Sequence, residues 1–178
     1  MRRDVVDFGA RTVRLRVRTP VRQRLGIGHA LATCNGTAAL HLAVAGLGIA
    51  PGDEVIVPTL TYIASANAIA YAGAVPVFVD CTAQTWQIDP DRIAQSVTAK
   101  TKAIMVVHVY GQSCDMDAIM DIADRHRLLV IEDCAEAFGA SYRGRPAGSF
   151  GHVAAFSFFG NKTITTGEGG MVFPTTNI

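Results

Sequence analysis

The stretch FSFFGNKTITTGEGG, Phe156 to Gly170, sets a single lysine, Lys162, between an apolar run and a cluster of glycines. The chain has only two other lysines, Lys100 and Lys102, in a polar segment that reads as an ordinary turn. Lys162 is either a strand-end charge reaching for solvent or a buried amine with a chemical role. Twenty-nine residues before it, LLVIEDCAEAFG places Asp133 just past an apolar run. A carboxylate at that depth needs a cationic or hydrogen-bonding partner. A helix N-cap or a structural salt bridge would explain Asp133 as well as function does. In CNGTAAL, Gly36 and Thr37 open a helix, where free N–H groups and a hydroxyl suit an anion. Taken alone, that segment reads as a routine cap by Asn35 or Thr37.

Together the three segments supply complementary parts: an anion cradle, a buried acid and a buried amine. Pyridoxal 5′-phosphate (PLP) requires all three. Its phosphate wants helix-start amides and hydroxyls such as Ser157, its ring nitrogen a carboxylate, and its aldehyde a lysine. Competing motifs fail on single residues. A Walker-type phosphate loop needs glycine before the lysine, and Asn161 stands there. The pair Gly26/Gly28 stops short of a dinucleotide fingerprint because Leu31 takes the third glycine's place. The five histidines have no metal-ligand spacing, so no metal site is expected.

The elements that must position these groups alternate from Gly26 onward. GTAALHLAVAGLGI, YIASANAIAYAG, DPDRIAQSV and DMDAIMDIADRHR read as helices. The third opens with Asp89 as N-cap and Pro90 at its first position. DEVIVP, AVPVFVD, TKAIMVVHVYG, LLVIED, HVAAFSFFG and GGMVF read as strands. Strands apolar on both faces and separated by helices predict an α/β fold, a largely parallel sheet with helices on both faces. In such sheets ligands bind at the carboxyl ends of the strands, where Asp133 and Lys162 fall.

Of 178 residues, 49% are hydrophobic and 17% charged, which points to a folded globular domain rather than a disordered chain. The net charge of +1 hides an asymmetry. Residues 1–24 hold eight arginines against Asp4 and Asp7, whereas the rest holds eight cationic against thirteen acidic side chains. The acidic body offers no broad basic face for nucleic acid. Residues 1–25 are expected to be a solvated, poorly ordered or non-native arm, and 26–178 the folded domain. The arm has neither serine nor an apolar core segment, which argues against a targeting peptide. Four scattered cysteines without a C-x-x-C pair suit free thiols in a reducing cytoplasm. No apolar run reaches membrane-spanning length.

The wording and order of NGTAALHLAVAGLGIAPGDEVIVPTLTYIASANAI, PVFVD, VHVYGQSCDMDAI, IEDCAEAFGA and FSFFGNKTITTGEGGM resemble the DegT/DnrJ/EryC1/StrS sugar aminotransferases, PLP-dependent enzymes of fold type I. The resemblance runs from about Gly26 to Pro174. It implies that Lys162 carries the cofactor covalently and then shuttles a proton, and that Asp133 pairs with the pyridine nitrogen. Gly36, Thr37 and Ser157 would hold the phosphate, and the ring of Tyr62 would stack on the cofactor, although a core aromatic at a helix start remains the alternative. Glu136 departs from the glutamine common in the family near the cofactor's phenolic oxygen. A carboxylate there must be protonated or paired.

Within the family, these motifs look most like the GDP-perosamine synthase branch. The implied reaction moves an amino group from an amino acid, glutamate by resemblance, to the C4 ketone of a nucleotide-linked 4-keto-6-deoxy sugar. The resemblance further implies a cytoplasmic homodimer with no nucleic-acid or membrane partner. Relatives continue into a second, smaller domain, so this chain is expected to be truncated and a poor catalyst alone. The alternatives are a catalytically incompetent PLP-binding fragment, or a regulatory or nucleic-acid-binding protein on the same scaffold.

Overall fold

The computed structural model describes residues 28–175 together with Val21, Gln23 and Gly26. Most of the arginine-rich segment lies outside the described residues. Val21 is helical and buried in one apolar cluster with Ala30, Phe156 and Phe173, so the packed body includes it.

Between Leu31 and Pro174 the described residues form nine strands and four α-helices. They are β1 (Leu31–Thr33), α1 (Gly36–Gly46), β2 (Glu54–Pro58), α2 (Ala64–Tyr71), β3 (Val75–Val79), α3 (Pro90–Ser96) and β4 (Thr101–Val107), then α4 (Met116–His126), β5 (Leu129–Asp133), β6 (Ser141–Tyr142), β7 (Arg145–Pro146), β8 (Val153–Ser157) and β9 (Gly170–Pro174). Seven strands form one sheet in the order β1-β9-β8-β5-β4-β2-β3, and β6 and β7 make a separate small hairpin. Strands β8, β5, β4, β2 and β3 pair in parallel, while β9 runs antiparallel to both β8 and β1.

Alternation along β4 shows how both faces are filled. Ala103 and Met105 pack with α1 and α2, and Ile104 and Val106 pack with α3 and α4. The predicted two-faced sheet is what the chain forms. Local signals set the helix ends. Asn35 Oδ1 accepts the Ala38 N–H at 2.8 Å to cap α1, and Asp89 and Asp115 cap α3 and α4 in the same way. Helix α4 ends on Arg127 in the left-handed conformation, with Arg125 and His126 in its last turn.

Several extents differ from the sequence reading. Strand β4 stops at Val107 rather than Gly111, because Tyr110 turns left-handed (φ 56°) inside a 3₁₀ turn at Val109–Gly111. Helix α2 begins at Ala64, two residues after Tyr62, and Lys102 lies on β4 rather than in a turn. Strand β1 and the β6–β7 hairpin are additions.

The order of the sheet fixes where a ligand can enter. From β2 the chain goes to β3 on one side and then crosses to β4 on the other. The resulting switch point opens a crevice at the carboxyl ends of β2 and β4.

Candidate active site

A cavity of about 530 Å³ occupies that crevice. Its walls come from the residues that follow β2 (Leu60–Tyr62), β4 (Val109, Tyr110), β5 (Ala135, Glu136) and β8 (Phe159), together with the start of α1. Gly36, Thr37, Tyr62, Asp133, Glu136, Ser157 and Lys162 all line it. Residues spread over more than 120 positions of sequence are thus brought to one place.

Lys162 is aimed by a short loop between β8 and β9. Phe158 donates its N–H to Gly169 O at 2.8 Å and accepts that of Thr166 at 3.0 Å, closing the loop at its base. Within it the Lys162 N–H donates to Phe159 O at 3.0 Å, and Gly167 supplies a left-handed residue (φ 83°). The ammonium is mostly shielded and lies 3.4 Å from Glu136 Oε1. The second oxygen of Glu136 accepts the Tyr110 N–H at 2.9 Å. The carboxylate is therefore paired, as a glutamate at that position requires.

Ser157 ends β8 against the first turn of α1. A Cβ added to Gly36 would sit 2.7 Å from the Ser157 Cβ, so glycine permits this approach. Gly170 plays the same part for the residues before α1, since a Cβ there would meet Thr33 Oγ1 at 2.6 Å. Gly36, Thr37 and Ser157 all line the cavity, and the first N–H groups of α1 lack intrahelical acceptors.

Asp133, the last residue of β5, is 4% exposed. Its Oδ1 accepts the Ala135 N–H at 3.0 Å and its Oδ2 the Ser65 hydroxyl at 2.8 Å. Burial pushes its carboxyl above the ordinary range, while the Ala135 N–H, the Ser65 hydroxyl, His108 and Lys162 pull it back. Among the described residues, Asp133 caps no helix and has no direct salt-bridge partner. Tyr62 is 75% exposed at the rim, which removes the alternative of a core aromatic. Ser65 and Glu168 also reach this region. Ser65 carries no sequence signal in an alanine-rich helix, and Glu168, read as part of a turn, lines the cavity.

Beneath the cavity lies a second polar cluster. Glu132 is fully buried and accepts N–H bonds from Gly148, Phe150 and Gly151 at 2.6–2.7 Å, with His108 Nε2 at 3.1 Å. His108 Nδ1 accepts the Cys114 N–H at 3.1 Å. Ligand atoms of His108, Glu132 and Cys134 lie within 4.8 Å of one another. Both Glu132 oxygens and both ring nitrogens are nonetheless engaged, and burial pushes the Cys134 thiol up to about 12. A protonated thiol is a poor metal ligand, so the cluster fits a structural polar network better than a metal site.

A model of the DegT/DnrJ/EryC1/StrS aminotransferase family matches residues 14–177. GDP-perosamine synthase of Caulobacter vibrioides is 62% identical over 152 residues, covering 85% of this chain and 40% of that protein. An aminotransferase from Psychrobacter cryohalolentis superposes with a TM-score of 0.89 at 48% identity, covering 91% of this chain and 41% of the other. Streptococcus pneumoniae Spr1654, solved in a PLP form, gives a TM-score of 0.89 at 33% identity, over 99% of this chain and 48% of that one. The chain spans about 40% of the length of the curated relative.

Proposed function

The chain belongs to the DegT/DnrJ/EryC1/StrS aminotransferase family, and we propose that it carries the PLP-binding centre of a sugar-nucleotide aminotransferase. The observation that carries this reading is the convergence of Lys162, Asp133 and the Gly36–Thr37–Ser157 corner on one cavity. The fit to PLP rests on chemistry already present there. The first turn of α1, held close to Ser157 by Gly36, suits a phosphate, a buried carboxylate suits a cationic ring nitrogen, and a shielded amine suits an aldehyde.

When bound, PLP supplies a carbonyl that condenses with amines and a ring that draws electrons from the carbon losing a proton. The protein's residues do the rest. Gly36 and Thr37 N–H groups with the Ser157 hydroxyl would hold the phosphate. Asp133 would keep the ring nitrogen protonated, and Tyr62 would pack against the ring. Lys162 would hold the aldehyde covalently, and its free Nζ would take and return a proton as general base and acid. Glu136 orients that amine.

The amino donor is an amino acid, glutamate first. The acceptor is a nucleotide-linked 4-keto-6-deoxy sugar, with the GDP-linked one ranked first because a GDP-perosamine synthase is 62% identical. The enzyme is read as a cytoplasmic homodimer with neither nucleic acid nor membrane as partner. Among the described residues, no helix is long and apolar enough to cross a membrane.

A half-reaction screen tests the substrate. A catalytically competent form of the protein, loaded with the pyridoxamine form of the cofactor, is mixed with keto-sugar nucleotides and with simple 2-keto acids, and the cofactor's absorbance is followed. Return of the PLP band with a keto-sugar nucleotide is expected. Return with 2-keto acids alone overturns the acceptor assignment.

A further inference from the structure

A serine stands where packing alone would favour alanine. In ASANAIA, at the start of α2, Ala64, Ala66 and Ala68 are buried, and Ser65 between them is fully buried. A hydroxyl at such depth must be matched by partners. Ser65 Oγ has two, Asp133 Oδ2 at 2.8 Å and Thr61 Oγ1 at 2.7 Å. Thr61 Oγ1 also lies 3.2 Å from Tyr62 O.

The direction of each bond follows from proton count. A carboxylate only accepts, so Ser65 spends its one hydrogen on Asp133. Ser65 must then accept from Thr61, and Thr61 O–H points away from Tyr62 O. With Asp133 neutral, its own O–H can donate to Ser65. Ser65 then donates to Thr61, and Thr61 to Tyr62 O. One proton on Asp133 thus reverses the whole chain.

We infer that Thr61 and Ser65 form a hydroxyl relay that orients the Asp133 carboxylate, with Ser65 a positioning residue for the cofactor's ring-nitrogen partner. Thr61 adjoins Tyr62 in sequence, so the relay also ties Asp133 to the segment that carries Tyr62. This rests on the PLP reading of the cavity. Other titratable groups that face Asp133 are His108 after β4, Lys162 in the β8–β9 loop and Cys134 next in sequence. The Ser65 hydroxyl is among the groups that hold the Asp133 carboxyl down against its burial.

The test is a ¹³C NMR titration of the Asp133 side-chain carboxyl in the cofactor-free chain, for wild type, Ser65→Ala and Thr61→Val. Ser65→Ala removes a donor to the charged form, so its midpoint moves to higher pH. Thr61→Val weakens the same bond indirectly and moves it less, in the same direction. Unchanged midpoints in folded variants overturn the relay. Should Ser65→Ala fail to fold, the Thr61→Val midpoint decides alone by the same criterion. Added PLP separates the two layers. Binding to Ser65→Ala is expected to weaken by roughly tenfold, the scale of a lost hydrogen bond to a charged group. Equal PLP affinity in wild type and Ser65→Ala overturns the positioning role. Shifted midpoints in a chain that takes up no PLP support the relay and overturn the cofactor reading instead.

Discussion

Lys162 Nζ lies 3.4 Å from Glu136 Oε1, and the same carboxylate holds the N–H of Tyr110 at 2.9 Å. One side chain therefore joins the Lys162 amine to a turn in which a bulky residue is left-handed, a conformation costing on the order of 1–3 kcal/mol. Glu136→Gln keeps an oxygen for Tyr110 but loses the ion pair. Because the Glu136 side chain is 36% exposed, that loss is expected to change stability by less than about 1 kcal/mol. Glu136→Ala loses both contacts. Hydrogen exchange at the Tyr110 amide is expected to quicken in Glu136→Ala and stay near wild type in Glu136→Gln. Equal exchange in all three proteins would show that Glu136 does not hold the turn.

Asp133 is buried at a cost to the fold. Its carboxyl titrates above the ordinary range because of burial, so the folded state holds that proton more tightly than the unfolded chain. Stability from this group is present at low pH and falls as pH rises through the unfolded and then the folded value. Asp133→Asn removes the penalty, and Ser65 can turn to accept from the new amide. In the cofactor-free chain at neutral pH, urea unfolding should show equal or higher stability. Turnover in a catalytically competent protein should fall by about a hundredfold or more, the usual size of a lost preorganised charge. Marked destabilisation with unchanged turnover would make Asp133 a structural residue.

Beneath it, Glu132 ties β5 to His108 and to the backbone of residues 148–151. Glu132→Gln places an amide group where N–H donors already point. Losing charge-assisted hydrogen bonds and leaving buried donors unmatched typically costs about 1–3 kcal/mol. A loss below about 1 kcal/mol in urea unfolding would mean the network adds little.

Gly36 tests the phosphate corner by shape. Gly36→Ala drives a Cβ to 2.7 Å from the Ser157 Cβ, so α1 and β8 must part. Overpacking of this kind costs about 1–3 kcal/mol. PLP affinity should drop while Lys162 remains reactive toward free aldehydes. Undiminished PLP binding would place the phosphate elsewhere.

Much of this was legible in the sequence. Strands such as IMVV and LVI are apolar on both faces, which only a covered parallel sheet explains, and the strand ends then named Asp133, Ser157 and Lys162. Strand β1 was not legible, because three residues at a sheet edge are too short to show alternation, and its pairing with β9 is set at long range. The end of β4 was overrun because VHVYG is apolar enough to continue a strand, and only the left-handed Tyr110 stops it. Ser65 was hidden for another reason. A serine in an alanine-rich helix carries no local pattern, and its role appears only when Asp133 arrives from 68 residues away.

The most direct measurement is the site of covalent attachment. The protein is incubated with PLP, reduced with borohydride, digested and mapped by mass spectrometry. Lys162 alone, 18% exposed beside Glu136 in the cavity, is predicted to carry the cofactor mass. Label on Lys100 or Lys102, with none on Lys162, would contradict the assignment of this cavity to PLP.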